Sequence, residues 1–148
     1  MWTVSTDSHR RVSIERVDEG VYLARNARGL ELQFGSKDPN GFTPVELLLA
    51  AIAGCSAVDV DVVTGRRSPA ATFEADVDAE VVRDEGGNIL RDIELTFRVT
   101  FPQGPDGDAA RDVLPRAVRT SHDRTCTVSR TVSAGVPVNV RIEDPPLA

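Results

Sequence analysis

Two cysteines, Cys55 and Cys126, are the side chains with the widest choice of chemistry in this chain. A thiolate can attack an electrophile, bind a metal or close a disulfide, whereas a neutral buried thiol is only a small hydrophobe. The two lie far apart in sequence, so there is neither a CxxC redox motif nor zinc-ligand spacing. His9 and His122 do not complete a metal set. His122 stands four residues before Cys126, the spacing of a conceivable Cys–His pair, but a surface histidine near a helix end explains it better. Asp59 follows Cys55 by one helical turn, and a carboxylate there opposes ionisation of the thiol. There is no GxGxxG and no P-loop.

Cys55 closes the run "TPVELLLAAIAGCS", Thr43 to Ser56. Thr43 suits an N-cap, Pro44 the first helical position, and Glu46 the third, which makes a capping box with proline at N1. That box accounts for Glu46 without any site; a carboxylate near the thiol is its functional alternative. The helix is apolar on nearly every side from Leu47 to Val58, the pattern of a buried helix. Leu47–Val58 alone is shorter than the about 20 apolar residues a bilayer span needs.

Around this helix the pattern is β. "RVSIERV" (Arg11–Val17), "VYLARN" (Val21–Asn26) and "LELQFG" (Leu30–Gly35) alternate with turn residues between them, as in a meander. "TFEADVDAEVV" (Thr72–Val82) places Phe73, Ala75, Val77, Ala79 and Val81 on one face and an acidic row on the other. "ILRDIELTFRVTF" (Ile89–Phe101) returns after a hairpin loop, with Ile93, Leu95, Phe97, Val99 and Phe101 inward. A helical stripe runs from Ala109 to Val118, capped by Asp106 or Asp108 and kinked or restarted at Pro115. "VPVNVRI" (Val136–Ile142) reads as a last strand. The order β-β-β-α-β-β-α-β is an α+β domain with helices on antiparallel sheet. The 148 residues fit a single domain, 1–148, with residues 1–10 expected to form a loose polar tail.

Composition narrows the function. With 41% hydrophobic and 27% charged residues this is a soluble globular chain, and its net charge of −6 gives no field for nucleic acid. Aromatic residues are few and Trp2 sits in the tail, so no stacking platform for single strands is expected. No signal peptide is read at the N-terminus, no membrane partner is expected, and a cytoplasmic location follows. Two cysteines there are inert core thiols or a working pair, not a disulfide framework.

"TPVELLLAAIAGCSAVDV" followed by "SHDRTCTVSRTVSAGVPV" resembles the OsmC/Ohr family. The first segment is similar to that family's proline–glutamate–leucine helix leading to its first cysteine. The second is similar to its second-cysteine segment, and the likeness runs from about Arg11 to Ile142. The resemblance implies antiparallel sheets around a central helix in an intertwined homodimer. It also implies a thiol-dependent peroxidase acting on small organic hydroperoxides, with a role in oxidative or osmotic stress defence. Cys55 would attack and become a sulfenic acid, Cys126 would condense with it, and a lipoyl-type dithiol would restore both, with no bound cofactor and no metal. Family hydroperoxide reductases hold the first thiol as thiolate with an arginine–glutamate pair. Here Val45 occupies the glutamate position, and Glu46 comes one residue later, about 100° round the helix. The family arginine comes from the first hairpin; Arg16 is near, the register points to Val17–Asp18, and Arg25 and Arg28 are alternatives. The pattern P-x-E-L-L-L-A-A-x-x-G-C-S-x-x-D-V is closer to an OsmC-like branch than to the dedicated reductases. A second function from another class is open: binding a small apolar ligand or partner at the dimer interface with little turnover.

Overall fold

The computed structural model describes residues 8–143. Trp2 and most of the tail assigned to residues 1–10 lie outside the described residues. The chain is α+β, with two antiparallel sheets and three α-helices among the described residues, and it divides into two compact units at Ala50/Ala51.

The first unit holds the meander. β1 (Val12–Asp18) pairs β2 (Val21–Asn26), which pairs β3 (Glu31–Phe34). The Asn26–Gly29 turn is closed by the Asn26 side chain, whose Oδ1 accepts from the Arg28 and Leu30 N–H groups. Gly35 is required where the chain leaves β3, since a Cβ there would stand 2.0 Å from the Gly20 carbonyl oxygen.

α1 (Pro44–Gly65) starts in this unit and runs into the second. Its capping box forms as the sequence dictates. The Thr43 N–H donates to Glu46 Oε1 at 2.9 Å, and the Glu46 N–H donates to Thr43 Oγ1 at 3.3 Å. The expectation of a helix buried all round is corrected. Only Ile52, Ser56, Val60 and Thr64 are buried, one stripe at a spacing of four, while Leu48, Val58 and Val62 are exposed. One copy of the chain covers one flank of a helix whose other flanks are equally apolar. The helix is also longer than its apolar run, at 22 residues, so length and hydropathy alone would let it cross a bilayer. The internal bonds of Ser56, Asp59 and Thr64 are those of a helix packed in protein.

The second unit carries a long hairpin, β4 (Thr72–Asp84) and β5 (Gly87–Thr100). Its alternation is not strict throughout. Asp78 pairs Glu94 but Glu80 pairs Arg91, so a bulge sits at Asp92, which has φ 54°. Beyond it the faces exchange: Val81 and Ile93, placed inward by the sequence pattern, are exposed, and Val82 and Leu90 are half-buried instead. The outward acidic row is partly paired, with Arg98 bridging Glu74 and Asp76.

α2 (Pro105–Thr120) is capped by Gly104 rather than Asp106 or Asp108 and continues through Pro115 without restarting. It buries Ala110, Val113 and Ala117 and passes into a π-helical turn, Ser121–Thr125. Cys126 then starts α3 (Thr127–Ala134), which ends at Gly135 in the left-handed conformation, φ 63°. The final strand placed at Val136–Ile142 does not form. The segment has no regular secondary structure, and Val138, Val140 and Ile142 are 86%, 86% and 91% exposed. Its alternating pattern is that of a strand, but among the described residues no strand pairs with it.

Candidate active site

The site lies in the second unit, where α1, the π-helical turn and the start of α3 meet. Cys55 comes from α1 and is half-buried; Cys126 is the N-cap of α3 and is fully buried, and both are free thiols. The two thiols lie close enough to act on each other's ionisation. The start of α3 serves both. The Ser129 N–H donates to Cys126 Sγ at 3.4 Å, and the Val128 N–H favours the ionised form of Cys55. The Ser129 hydroxyl favours the ionised form of Cys126. α3 forms here because Cys126, with extended backbone and an accepting sulfur, does the work that serine or aspartate does at other helix starts.

The two sulfurs are not electrostatically equivalent. Burial pushes the Cys55 thiol up; the Val128 N–H opposes this, but Cys126 and the Asp59 charge add to it, and the net direction is upward. Burial also pushes Cys126 up, but the Ser129 hydroxyl, the Ser129 N–H and the Cys55 thiol outweigh it, and the net direction is downward despite Asp59. The opposition of Asp59 to ionisation is as its position in the sequence predicts.

Asp59 is held in turn. Ser121 Oγ donates to its Oδ2 at 2.9 Å and Thr125 Oγ1 donates to the same oxygen at 3.0 Å. Ser56 Oγ lies 3.1 Å from Ser121 Oγ, and since Ser121 spends its proton on Asp59, Ser56 must be the donor. The π-helical turn places Ser121 and Thr125 on Asp59 together, four residues apart. Ser56, Ser121, Thr125 and Ser129 escape notice in the sequence; the one local signal is the spacing of Cys126 and Ser129, that of an N-cap and its N3 residue.

A cavity of about 330 Å³ is lined by Ser56, next to Cys55 in the chain, and by Ser129, which is bonded to Cys126; neither cysteine lines it, and Glu94 does. Ile52, Leu95, Phe97, Val118 and Val132 make it apolar, and Ser56, Ser129 and His122 give it a polar side. His122 thus faces the cavity, and is not among the groups acting on Cys126.

The supporting residues drawn from the resemblance sit elsewhere in the bonding pattern. Glu46 is engaged by Thr43, whose backbone and hydroxyl hold its carboxyl below the usual range. Arg16 lies on β1 opposite Tyr22, and Arg25 is paired with Glu31 and Glu15. No arginine is among the groups acting on Cys55. Among the described residues no cluster of His, Cys, Asp and Glu could hold a metal ion.

The family model of OsmC-like proteins matches residues 35–141. An uncharacterised protein of Mycobacterium tuberculosis is 32% identical over 134 residues, covering 88% of this chain and 94% of that protein. An OsmC-like protein of unknown function from Vibrio cholerae superposes with a TM-score of 0.68 at 10% identity, covering 84% of this chain and 93% of that one. The organic hydroperoxide resistance protein OhrB of Bacillus subtilis gives a TM-score of 0.52 at 19% identity, over 84% and 90%. The last two likenesses concern the fold alone. With the family model spanning both cysteine segments and the relative covering most of both chains, this chain belongs to the OsmC-like family.

Proposed function

We propose that this protein is a two-cysteine peroxidase that reduces organic hydroperoxides in the cytoplasm, as part of defence against oxidative or osmotic stress. The observation that carries the proposal is the juxtaposition of the Cys55 and Cys126 thiols, brought from two distant segments close enough to act on each other's ionisation. Cys55 is the accessible sulfur and attacks the peroxide oxygen, becoming a sulfenic acid; Cys126 condenses with it to a disulfide. The cavity that reaches their neighbours Ser56 and Ser129 suits the organic group of the peroxide, with apolar walls and a polar side. A small external dithiol of lipoyl type reopens the disulfide by exchange.

The working form is a homodimer. The exposed apolar positions of Val136–Ile142, and separately Val12 and Ile14 on β1, are surface that a second copy would cover. A second copy is also the source of any cation that acts on Cys55.

One observation favours a second function. Cys55 is pushed up rather than down, and its neighbour Ser56 lines a largely apolar cavity, as in a protein that binds an apolar ligand with little turnover. A peroxidase assay with cumene hydroperoxide and dihydrolipoamide separates the two. Turnover by wild type, lost in Cys55→Ser and in Cys126→Ser, is the expected result. Equal consumption by Cys55→Ser and wild type overturns the peroxidase.

A further inference from the structure

We propose that the cavity at Ser56 and Ser129 selects hydroperoxides with a compact, uncharged alkyl or aryl group, and that Glu94 is the specificity-determining residue that turns away those carrying a carboxylate. This rests on the peroxidase function above and names the class of substrate its cavity takes.

Size and wall chemistry favour a compact apolar group. At about 330 Å³ the cavity is at the small end of ligand pockets, which span about 300–1,000 Å³. It suits a group the size of an alkylated benzene rather than a long chain. Phe97 gives it an aromatic wall, and that ring is held edge-to-face against Phe73, with centroids 6.0 Å apart and planes at 87°. Ile52, buried on α1, and Val118, half-buried on α2, extend the apolar wall.

Charge excludes carboxylates. No lysine or arginine borders the cavity, and with histidine neutral Glu94 is the one charged residue that does. Ile93, Glu94 and Leu95 border it in succession, whereas a regular strand presents alternate residues to one face. The bulge at Asp92, directly before them, interrupts that alternation. Glu94 is exposed and pairs across the hairpin with Asp78, another exposed carboxylate. Arg98 neutralises Glu74 and Asp76 further along the hairpin, but among the described residues neither Asp78 nor Glu94 has an ion pair. From α1, Asp59 adds negative charge, since Ser121 links it to Ser56, which borders the cavity. An incoming carboxylate therefore meets negative charge from two elements and no positive charge on the lining, and it must also leave water for apolar walls.

Cumene hydroperoxide bearing a para-carboxylate, compared with its methyl ester, tests the assignment, because the two differ in charge and little in shape. kcat/KM is measured for each with dihydrolipoamide at pH 8. Wild type should favour the ester by about tenfold, the effect of one unit charge about 6 Å away between the limits of water and an effective dielectric constant of about 20. Glu94→Gln should cut the preference to about threefold, and Glu94→Lys should abolish or invert it. The wild-type preference should shrink as salt rises, which a steric effect would not show. Glu94 is exposed, and its replacement by glutamine relieves repulsion from Asp78, so the variant keeps the fold. The two alcohols that the reduction leaves, titrated calorimetrically into reduced protein, measure the same preference without turnover. Equal values for acid and ester, a preference that Glu94→Gln leaves unmoved, or no saturable binding of either alcohol overturns the proposal. The expected preference among the alcohols, with neither hydroperoxide turned over, would instead sink the peroxidase function and leave the selectivity of the cavity standing.

Discussion

Asp59→Asn should make Cys55 react faster at neutral pH, which is unusual for a substitution within a candidate active site. Asp59 and Cys55 are one helical turn apart, a side-chain separation of about 6 Å. Two unit charges at that distance repel by about 2.8 kcal/mol at an effective dielectric constant of about 20, and by about 0.7 kcal/mol in water. A half-buried sulfur falls between these limits, near 1.4 kcal/mol, so removing the charge raises the thiolate fraction about tenfold at any pH below the midpoint. Nucleophilicity falls as the thiol becomes more acidic, with a Brønsted slope of about 0.4–0.5, which cancels about half of that decade. The net gain is about threefold in the rate of alkylation by iodoacetamide at pH 7. The asparagine Oδ1 can still accept from Ser121 and Thr125, so the π-helical turn keeps its anchor. The measurement belongs on the Cys126→Ser background, where Cys55 is the single thiol, and at two salt concentrations. The gain should shrink as salt rises. An unchanged or slower rate in a protein with native circular dichroism would refute the electrostatic role of Asp59.

Three further outcomes follow from the packing. Ser56→Ala removes the buried bond to Ser121 while Ser121 keeps Asp59, so a loss of about 1 kcal/mol in urea-unfolding stability is expected. Gly107→Ala places a Cβ 1.7 Å from the Pro102 carbonyl oxygen, a clash with backbone, and should cost about 2 kcal/mol or more; an unchanged urea midpoint would show that the first turn of α2 can shift. Glu46→Gln should weaken the start of α1, and the loss should depend on pH, because the Thr43 N–H then has no carboxylate to bind. Glu46 is held low in the folded state, so its contribution is complete above the ordinary glutamate range and disappears as pH falls through the lowered folded value. A difference between variant and wild type that is flat from pH 7 to pH 2 would contradict this.

The elements legible in the sequence are those whose causes are local. Thr43, Pro44 and Glu46 lie within one turn, and they start α1 where their spacing demands. The alternation of β4 survives up to the bulge, because each residue reports its own face. The bulge is not legible, since nothing in "RDI" announces that Asp92 adopts positive φ. α3 is hidden because "TVSRTVSA" is rich in β-branched residues and its start depends on a cysteine acting as cap. In the site, the thiol pairing came through family resemblance, not spacing. The hydroxyl network came from neither, because four serines and threonines are ordinary until the π-helical turn aims them.

The last strand marks the same boundary from the other side. Val136, Val138, Val140 and Ile142 alternate as cleanly as any strand in the chain, and they remain unpaired and exposed. Pairing of backbone N–H and C=O groups needs an edge as well as a pattern, and a pattern without an edge is a request for a second chain. The same logic applies to α1, whose apolar residues outnumber those one copy buries. The thiol pair is different in kind. Cys55, Cys126, Val128, Ser129 and Asp59 all come from the second unit of one chain. Bringing the two thiols together therefore requires no partner, while shelter of the apolar surfaces does. A destabilised dimer should accordingly lose solubility before it loses the ability to close the Cys55–Cys126 disulfide on oxidation, and the two measurements made on one diluted sample separate assembly from thiol pairing.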